Sequence, residues 1–217
     1  LEIYGEGITD SGPTTDYDKI KNLRGKLYKH FDQSGCVTNV EYDFKGNLLE
    51  VNRSLTIETA SSYQTDINWD VDDIKQILLL EREIFTQTTK YDALNRMIEL
   101  EGWNNGTSIL ASIYLPEYNE RGLLKAEKLY VRGVQKPSPE TNNIVKGIEY
   151  DVKGQKQKVT YGNETVTSYS YDEKTFRLKQ LKTFGMVVGN PTQQTLQYLN
   201  YTYDPVGNIT AIINNAQ

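Results

Sequence analysis

The chain has little with which to perform redox, metal or nucleophilic chemistry. Among 217 residues there is one cysteine, Cys36, and one histidine, His30. A single thiol makes no internal disulfide, and one His with one Cys builds no zinc-type cluster, so no metal and no cofactor is expected. A serine nucleophile would have to take His30 as its base, and no Gly-x-Ser-x-Gly elbow occurs. No apolar run approaches the roughly 20 residues that span a bilayer. The nearest, Ile77-Leu78-Leu79-Leu80, is closed by Glu81 and follows Lys75 closely. The net charge of -5 and a pI near 5.1 argue against a phosphate-binding surface, so nucleic acid is not an expected partner. Leu1 is not Met, and the residues after it lack a signal peptide's basic and apolar regions, so an internal start is expected.

What the chain does have is tyrosine: 16, against 5 Phe and 2 Trp. Tyr combines an apolar ring with a polar tip and suits half-buried strands. A short unit also recurs, made of an aromatic residue, Asp, two variable residues and Gly. Its copies are Phe31-Asp32-Gln33-Ser34-Gly35, Tyr42-Asp43-Phe44-Lys45-Gly46, Tyr150-Asp151-Val152-Lys153-Gly154 and Tyr203-Asp204-Pro205-Val206-Gly207. Tyr91-Asp92-Ala93-Leu94-Asn95 replaces Gly by Asn, and Tyr118-Asn119-Glu120-Arg121-Gly122 replaces Asp by Asn. Tyr171-Asp172-Glu173-Lys174-Thr175 lacks the closing Gly, so its turn is expected to differ.

The spacing has a physical reading. Asp opening a turn accepts backbone N–H bonds, and Gly three residues later takes the left-handed conformation, giving a type I turn with a glycine bulge between antiparallel strands. Period-two patterning flanks the turns: Thr167, Tyr169 and Tyr171 alternate with Ser168 and Ser170, and Leu199, Tyr201 and Tyr203 with Asn200 and Thr202. A lone hairpin is marginal in water, so each unit is expected to lean on the next. The predicted fold class is all-β: a curved antiparallel sheet of successive hairpins with at most one short helix. That helix falls near Asp70–Leu78, inside an insertion from about Asn52 to Thr89, where acidic residues precede apolar ones. Lys136-Pro137-Ser138-Pro139-Glu140 reads as a stiff loop.

An ordered series of strings resembles YD (RHS) repeats, and more closely the B and C subunits of bacterial insecticidal toxin complexes. They are Asn22-Leu23-Arg24-Gly25, Tyr42-Asp43-Phe44-Lys45-Gly46-Asn47, Tyr91-Asp92-Ala93-Leu94-Asn95-Arg96, Tyr150-Asp151-Val152-Lys153-Gly154-Gln155, Thr175-Phe176-Arg177-Leu178 and the run Tyr201–Thr210. The resemblance covers residues 22–217, with 1–21 only weakly assigned. It implies a partial spiral of a hollow shell that holds a cytotoxic C-terminal effector. It implies as partners the remaining repeats, that effector and other toxin-complex subunits, and a secreted bacterial setting tied to virulence.

No enzyme activity and no catalytic residue is expected. Asp32, Asp43, Asp92, Asn119, Asp151 and Asp204 read as turn openers, and Gly35, Gly46, Asn95, Gly122, Gly154 and Gly207 as turn closers. A pair of these carboxylates could in principle serve as acid and base, but their fixed distance from Gly fits turns better. The strand aromatics Tyr42, Tyr91, Tyr150, Tyr169, Tyr171, Tyr201 and Tyr203 read as packing residues. The alternative is a carbohydrate-binding or adhesion module, in which aromatic faces stack on sugars of a cell-surface glycan. Trp103, beside a turn and away from regular alternation, is the candidate ligand contact on that reading. Exposed edge strands also predict self-association.

Overall fold

A computed structural model describes residues 1–6, 16–57, 67–132, 143–187 and 190–216. Its first elements are β1 (Glu2–Tyr4), α1 (Tyr17–Ile20), β2 (Leu27–Asp32), β3 (Gly35–Tyr42), β4 (Leu48–Leu55), α2 (Asp73–Leu78), β5 (Phe85–Tyr91) and β6 (Met97–Asn104). Then come β7 (Ile113–Tyr118), β8 (Leu124–Tyr130), β9 (Asn143–Tyr150), β10 (Lys156–Tyr161), β11 (Val166–Tyr171), β12 (Leu178–Val187), β13 (Asn190–Tyr203) and β14 (Ile209–Asn214). The sheet is antiparallel, and its strand order is the chain order through all 14 strands. No strand crosses another, which is what a series of hairpins produces.

The expected helix is α2, where Asp72 accepts the Lys75 backbone N–H at 2.9 Å as a side-chain N-cap. A single helical segment was expected, and there are two among the described residues, because residues 17–20 close one turn of their own. That turn has a local cause. The buried Asp18 carboxylate takes the Lys19 N–H at 2.9 Å and Arg24 Nε at 2.6 Å, and Leu23, whose N–H bonds the Asp18 carbonyl at 2.8 Å, is wholly buried. The insertion between β4 and β5 is also shorter than expected, running from 56 to 84, because strand pairing extends to Leu55 and resumes at Phe85. The proline loop at 136–140 lies outside the described residues.

Contacts divide the chain into two compact units, Leu1–Tyr114 with Tyr130–Val134, and Leu115–Leu129 with Gln135–Gln217. The first has a distinct core. Phe31, Cys36, Ile67 and Trp69 cluster with Ile3, Leu79 and Leu80 packed on them, and the Phe31 and Trp69 rings lie 4.9 Å apart. The insertion is pinned there by polar bonds. Gln33 exchanges two side-chain bonds with the Ile67 backbone, and Trp69 Nε1 donates to the Asp32 carbonyl at 2.9 Å. Gln76, itself buried, bridges the carbonyls of Trp69 and Val71.

The second unit separates its faces by strand alternation. Ile148, Val159, Thr167, Thr183 and Gln197 are successive cross-strand partners on one face, and Glu149, Lys158, Ser168, Lys182 and Tyr198 on the other. Val159 and Thr167 are buried, while Lys158 pairs with Glu149 at 3.1 Å. A one-residue slip would carry the buried Val159 and Thr167 to the opposite face, and this favours the observed register.

Candidate functional site: the tyrosine and aspartate turns

Five of the repeated units close in one way. The backbone N–H of the closing residue donates to the opener's carbonyl in Gly46→Asp43, Asn95→Asp92, Gly122→Asn119, Gly154→Asp151 and Gly207→Asp204, at 2.9–3.1 Å. The opener's own N–H returns to the carbonyl four residues on, in each case at 2.9–3.0 Å. All five closers have left-handed φ, from 62° at Asn95 to 108° at Gly207. This is the conformation in which Gly carries no Cβ penalty and Asn the smallest.

The opener's side chain completes the turn. Oδ1 of Asp43, Asp92, Asn119, Asp151 and Asp204 accepts the N–H of Asn47, Arg96, Leu123, Gln155 and Asn208 respectively, at 2.8–3.0 Å. In the first four it also takes the N–H two residues on, and in Asp204 that of Gly207 at 2.7 Å. Asn119 substitutes freely because the turn needs an acceptor oxygen and no charge. The Arg96 N–H chiefly holds the Asp92 carboxyl low, and the Asn208 amide that of Asp204. For Asp43 burial acts in the opposite direction, and the bonds from Asn47, Lys45 and Gly46 outweigh it. A carboxylate saturated by its own turn is a poor general base.

Two copies depart. Asp32 and Gly35 are paired in the ladder, so Gln33 and Ser34 alone form the corner. Gly35 lies in β3 with φ of 141°, where an added Cβ would stand 2.0 Å from the Ser54 carbonyl oxygen. The Asp32 carboxylate takes the Ser34 N–H at 2.7 Å, as other openers take the N–H two residues on. It also forms a bidentate pair with Arg53, both bonds 2.7 Å, and that pair chiefly lowers its pKa. Asp32 therefore opens a turn as expected, but one without the bulge, because Asp32 and Gly35 stay paired in the ladder. It also joins β2 to β3, at the end of the strands opposite the turns of Asp43 and Asp92. At Asp172 the turn is one residue longer, with Phe176 donating to the Asp172 carbonyl at 2.8 Å and taking the left-handed position at 58°.

The tyrosine preceding the opener does more than pack. Tyr42, Tyr150, Tyr171 and Tyr203 donate their hydroxyls to the carbonyls of Leu27, Leu124, Lys156 and Leu178, at 2.7–2.9 Å. Each acceptor is the first residue of the preceding strand, so every such tyrosine clasps its hairpin to the one before. Tyr91 occupies the same position at the end of β5. Tyr169 and Tyr201 lie farther back on their strands and are half-buried, Tyr169 with its phenol pushed up by burial. Successive turns are also tied laterally. Arg121 reaches the carbonyls of Asp151 and Val152, Gln155 that of Phe176, and Arg177 those of Asp204 and Pro205. In the first unit Lys45 reaches Ala93, and Asn47 bonds Asn95 at 3.0 Å.

Sequence reasoning treated these tyrosines as packing groups and missed the clasp. A signal was present: the copy with Phe in place of Tyr has no hydroxyl to donate, and the Phe31 ring sits in the core instead. It also missed the turn of Tyr161–Thr165, where Glu164 takes φ of 64° and donates to the Tyr161 carbonyl at 3.1 Å. Trp103 is the last but one residue of β6 and stands beside the turn that Asn105 opens, where the Asn105 N–H bonds the Ile109 carbonyl at 3.1 Å. It is 41% exposed because Gly102 and Trp103 stand together against Gln87 in a register shift of the β5–β6 ladder. His30 lies 3.6 Å from Glu2, and burial pushes the Cys36 thiol up. Among the described residues, no group of three His, Cys, Asp or Glu could hold a metal ion, and no helix is long and apolar enough to cross a membrane.

No family model matches the sequence. The chain is 29% identical to the toxin subunits YenC1 and YenC2 of Yersinia entomophaga, over 92% and 94% of its length. It spans only 19–20% of those relatives. Among solved structures it matches TcdB2-TccC3 with a TM-score of 0.76 and 28% identity, covering all of this chain and 9% of that one. It matches the Photorhabdus luminescens Tc holotoxin pore with a TM-score of 0.75, again at 28% identity, with all of this chain and 9% of that one covered.

Proposed function

We propose that this chain, a homologue of the YD-repeat (RHS-type) components of bacterial toxin complexes, is a non-catalytic wall segment of a shell that encloses a toxic effector of its parent protein. The parent acts as a secreted bacterial virulence protein, and the partners of this segment are further repeats, the effector and other complex subunits. One observation carries the reading. The repeated carboxylates and tyrosine hydroxyls, the groups best able to act on a ligand, are consumed by closing turns and joining hairpins. A wall needs that arrangement, whereas a cleft needs the same groups free and convergent.

The test is protease protection of the effector in the full-length parent polypeptide. The effector should resist digestion with the wall intact and become sensitive when Tyr150→Phe and Gly154→Val are combined. Equal sensitivity in both proteins would remove enclosure from the account. The competing reading, a glycan-binding module, draws on the exposed indole of Trp103 on its bulge. A glycan array probed with the chain decides it, since the wall reading expects no signal that depends on Trp103.

A further inference from the structure

The insertion between β4 and β5 does more than cover the sheet. Leu79 and Leu80, which follow α2, pack on the cluster of Phe31 and Cys36. Beside them the first unit holds a cavity of about 750 Å³, within the range of small-molecule sites, roughly 300–1,000 Å³. Among the residues that line it are none of the turn-opening carboxylates and none of the clasping tyrosines. The cavity is therefore a product of the insertion and not of the repeated unit.

Phe31 and Cys36, each 4% exposed, form its floor, and Tyr17, Tyr28, Ile3 and Leu80 stand around them. One polar atom there is left over. Gln76, which also lines the cavity, is 7% exposed, and its Nε2 gives both hydrogens to the carbonyls of Trp69 and Val71 at 3.1 Å. Its Oε1 takes no bond from a described residue, although an acceptor in so buried a side chain normally has a donor. Charge around the cavity is balanced, Lys29 and Arg82 against Asp73 and Glu81. Two groups of each sign exert no net pull on an anion or a cation.

We propose that this cavity binds a small, uncharged aromatic molecule whose N–H or O–H is accepted by Gln76 Oε1 while its ring packs on Phe31. Three aromatic side chains in the lining favour a ring. The oxygen without a donor selects an N–H or O–H, because a buried acceptor left unmade costs its full desolvation. The balanced rim favours a ligand without net charge. Binding here is independent of whether a shell of such repeats holds an effector.

Indole is the probe, titrated into the intact ¹⁵N-labelled chain and followed by heteronuclear NMR. Saturable shifts should appear at the Phe31, Cys36 and Gln76 signals. 1-Methylindole, which lacks the donor, should bind at least about fivefold more weakly, since a site built to bond an N–H rejects the analogue without it. The anion indole-3-acetate and the cation tryptamine should each bind more weakly than indole. Ile84→Trp sets a bulky ring at the lining from a side chain that is half exposed in the wild type, and should weaken indole binding about tenfold, ~1.4 kcal/mol. In the wild type, bound indole should also slow alkylation of Cys36, the one thiol of the chain, by N-ethylmaleimide. If Ile84→Trp alters the circular dichroism, that protection decides in its place. No saturable binding up to the solubility limit of indole overturns the proposal. So does equal binding of 1-methylindole, which removes the Gln76 bond, or tighter binding of either ion. Shifts that leave the Cys36 alkylation rate unchanged place indole elsewhere and overturn it equally.

Discussion

The hydroxyl of Tyr150, at the end of β9, donates to the carbonyl of Leu124, at the start of β8, at 2.7 Å. Twenty-one residues later Tyr171 makes the same bond to Lys156, and Tyr203 makes it to Leu178. The clasp is a tertiary contact repeated with the sequence unit, so the hairpins β7–β8, β9–β10 and β11–β12 are each held by the ladder, by their own turn and by a phenol from the next. In a sheet with few fully buried side chains, such polar ties carry a larger share of stability than in a compact core.

Tyr150→Phe and Tyr203→Phe should each cost about 1 kcal/mol, the net worth of a side-chain hydrogen bond. Urea unfolding of each variant measures it. An unchanged midpoint would mean the carbonyl finds water at no loss.

Gly154→Val should destabilise by more than ~1 kcal/mol through backbone conformation alone. An added Cβ at Gly154 would meet nothing closer than Leu123 at 3.6 Å, while φ is 85°. Gly154→Asn, which tolerates that φ, should recover most of the loss in thermal melts.

Acid should loosen the turns. Asp32 is held low chiefly by Arg53, Asp172 by the Thr175 N–H, and Asp92 and Asp204 by the bonds described above, all below the ordinary 3.8. A depressed carboxyl stabilises the fold above its unfolded pKa, and that contribution is lost as pH falls through the folded pKa. Melting temperature measured from neutral to about pH 2 should therefore drop steeply at the acid end, and less steeply in Asp204→Asn.

Alkali should act on the clasps. Burial pushes the phenols of Tyr42, Tyr150 and Tyr171 above the ordinary 10.0. A proton held more tightly in the folded state stabilises it below that value, and the gain disappears as pH rises through the folded pKa. The combined Phe variants of these tyrosines should be less stable at neutral pH and show a flatter alkaline limb.

Trp103→Ala should change stability by less than about 1 kcal/mol, since its ring is substantially exposed. A larger loss in thermal melts would make Trp103 a packing residue of the bulge.

Strands, turns and their order were legible in the chain itself. The acidic opener, the Gly or Asn three residues on, and alternating strands are local chemistry, readable wherever a turn is made by the residues that form it. Asp172 illustrates this: the missing Gly announced an altered turn, and the structure lengthens it by one residue. Asp32 illustrates the limit. Its five-residue string matches the others and its carboxylate takes the local Ser34 N–H, yet Arg53 and Trp69, 21 and 37 residues away in sequence, also bond its carboxylate and carbonyl.

By itself, the sequence of residues determined that the chain folds as consecutive antiparallel hairpins, because turn conformation depends on neighbours a few positions apart. Tertiary structure alone decided which tyrosine hydroxyls become clasps and which arginines tie one turn to the next. Those outcomes depend on strand register, and register brings together groups that sequence distance keeps apart.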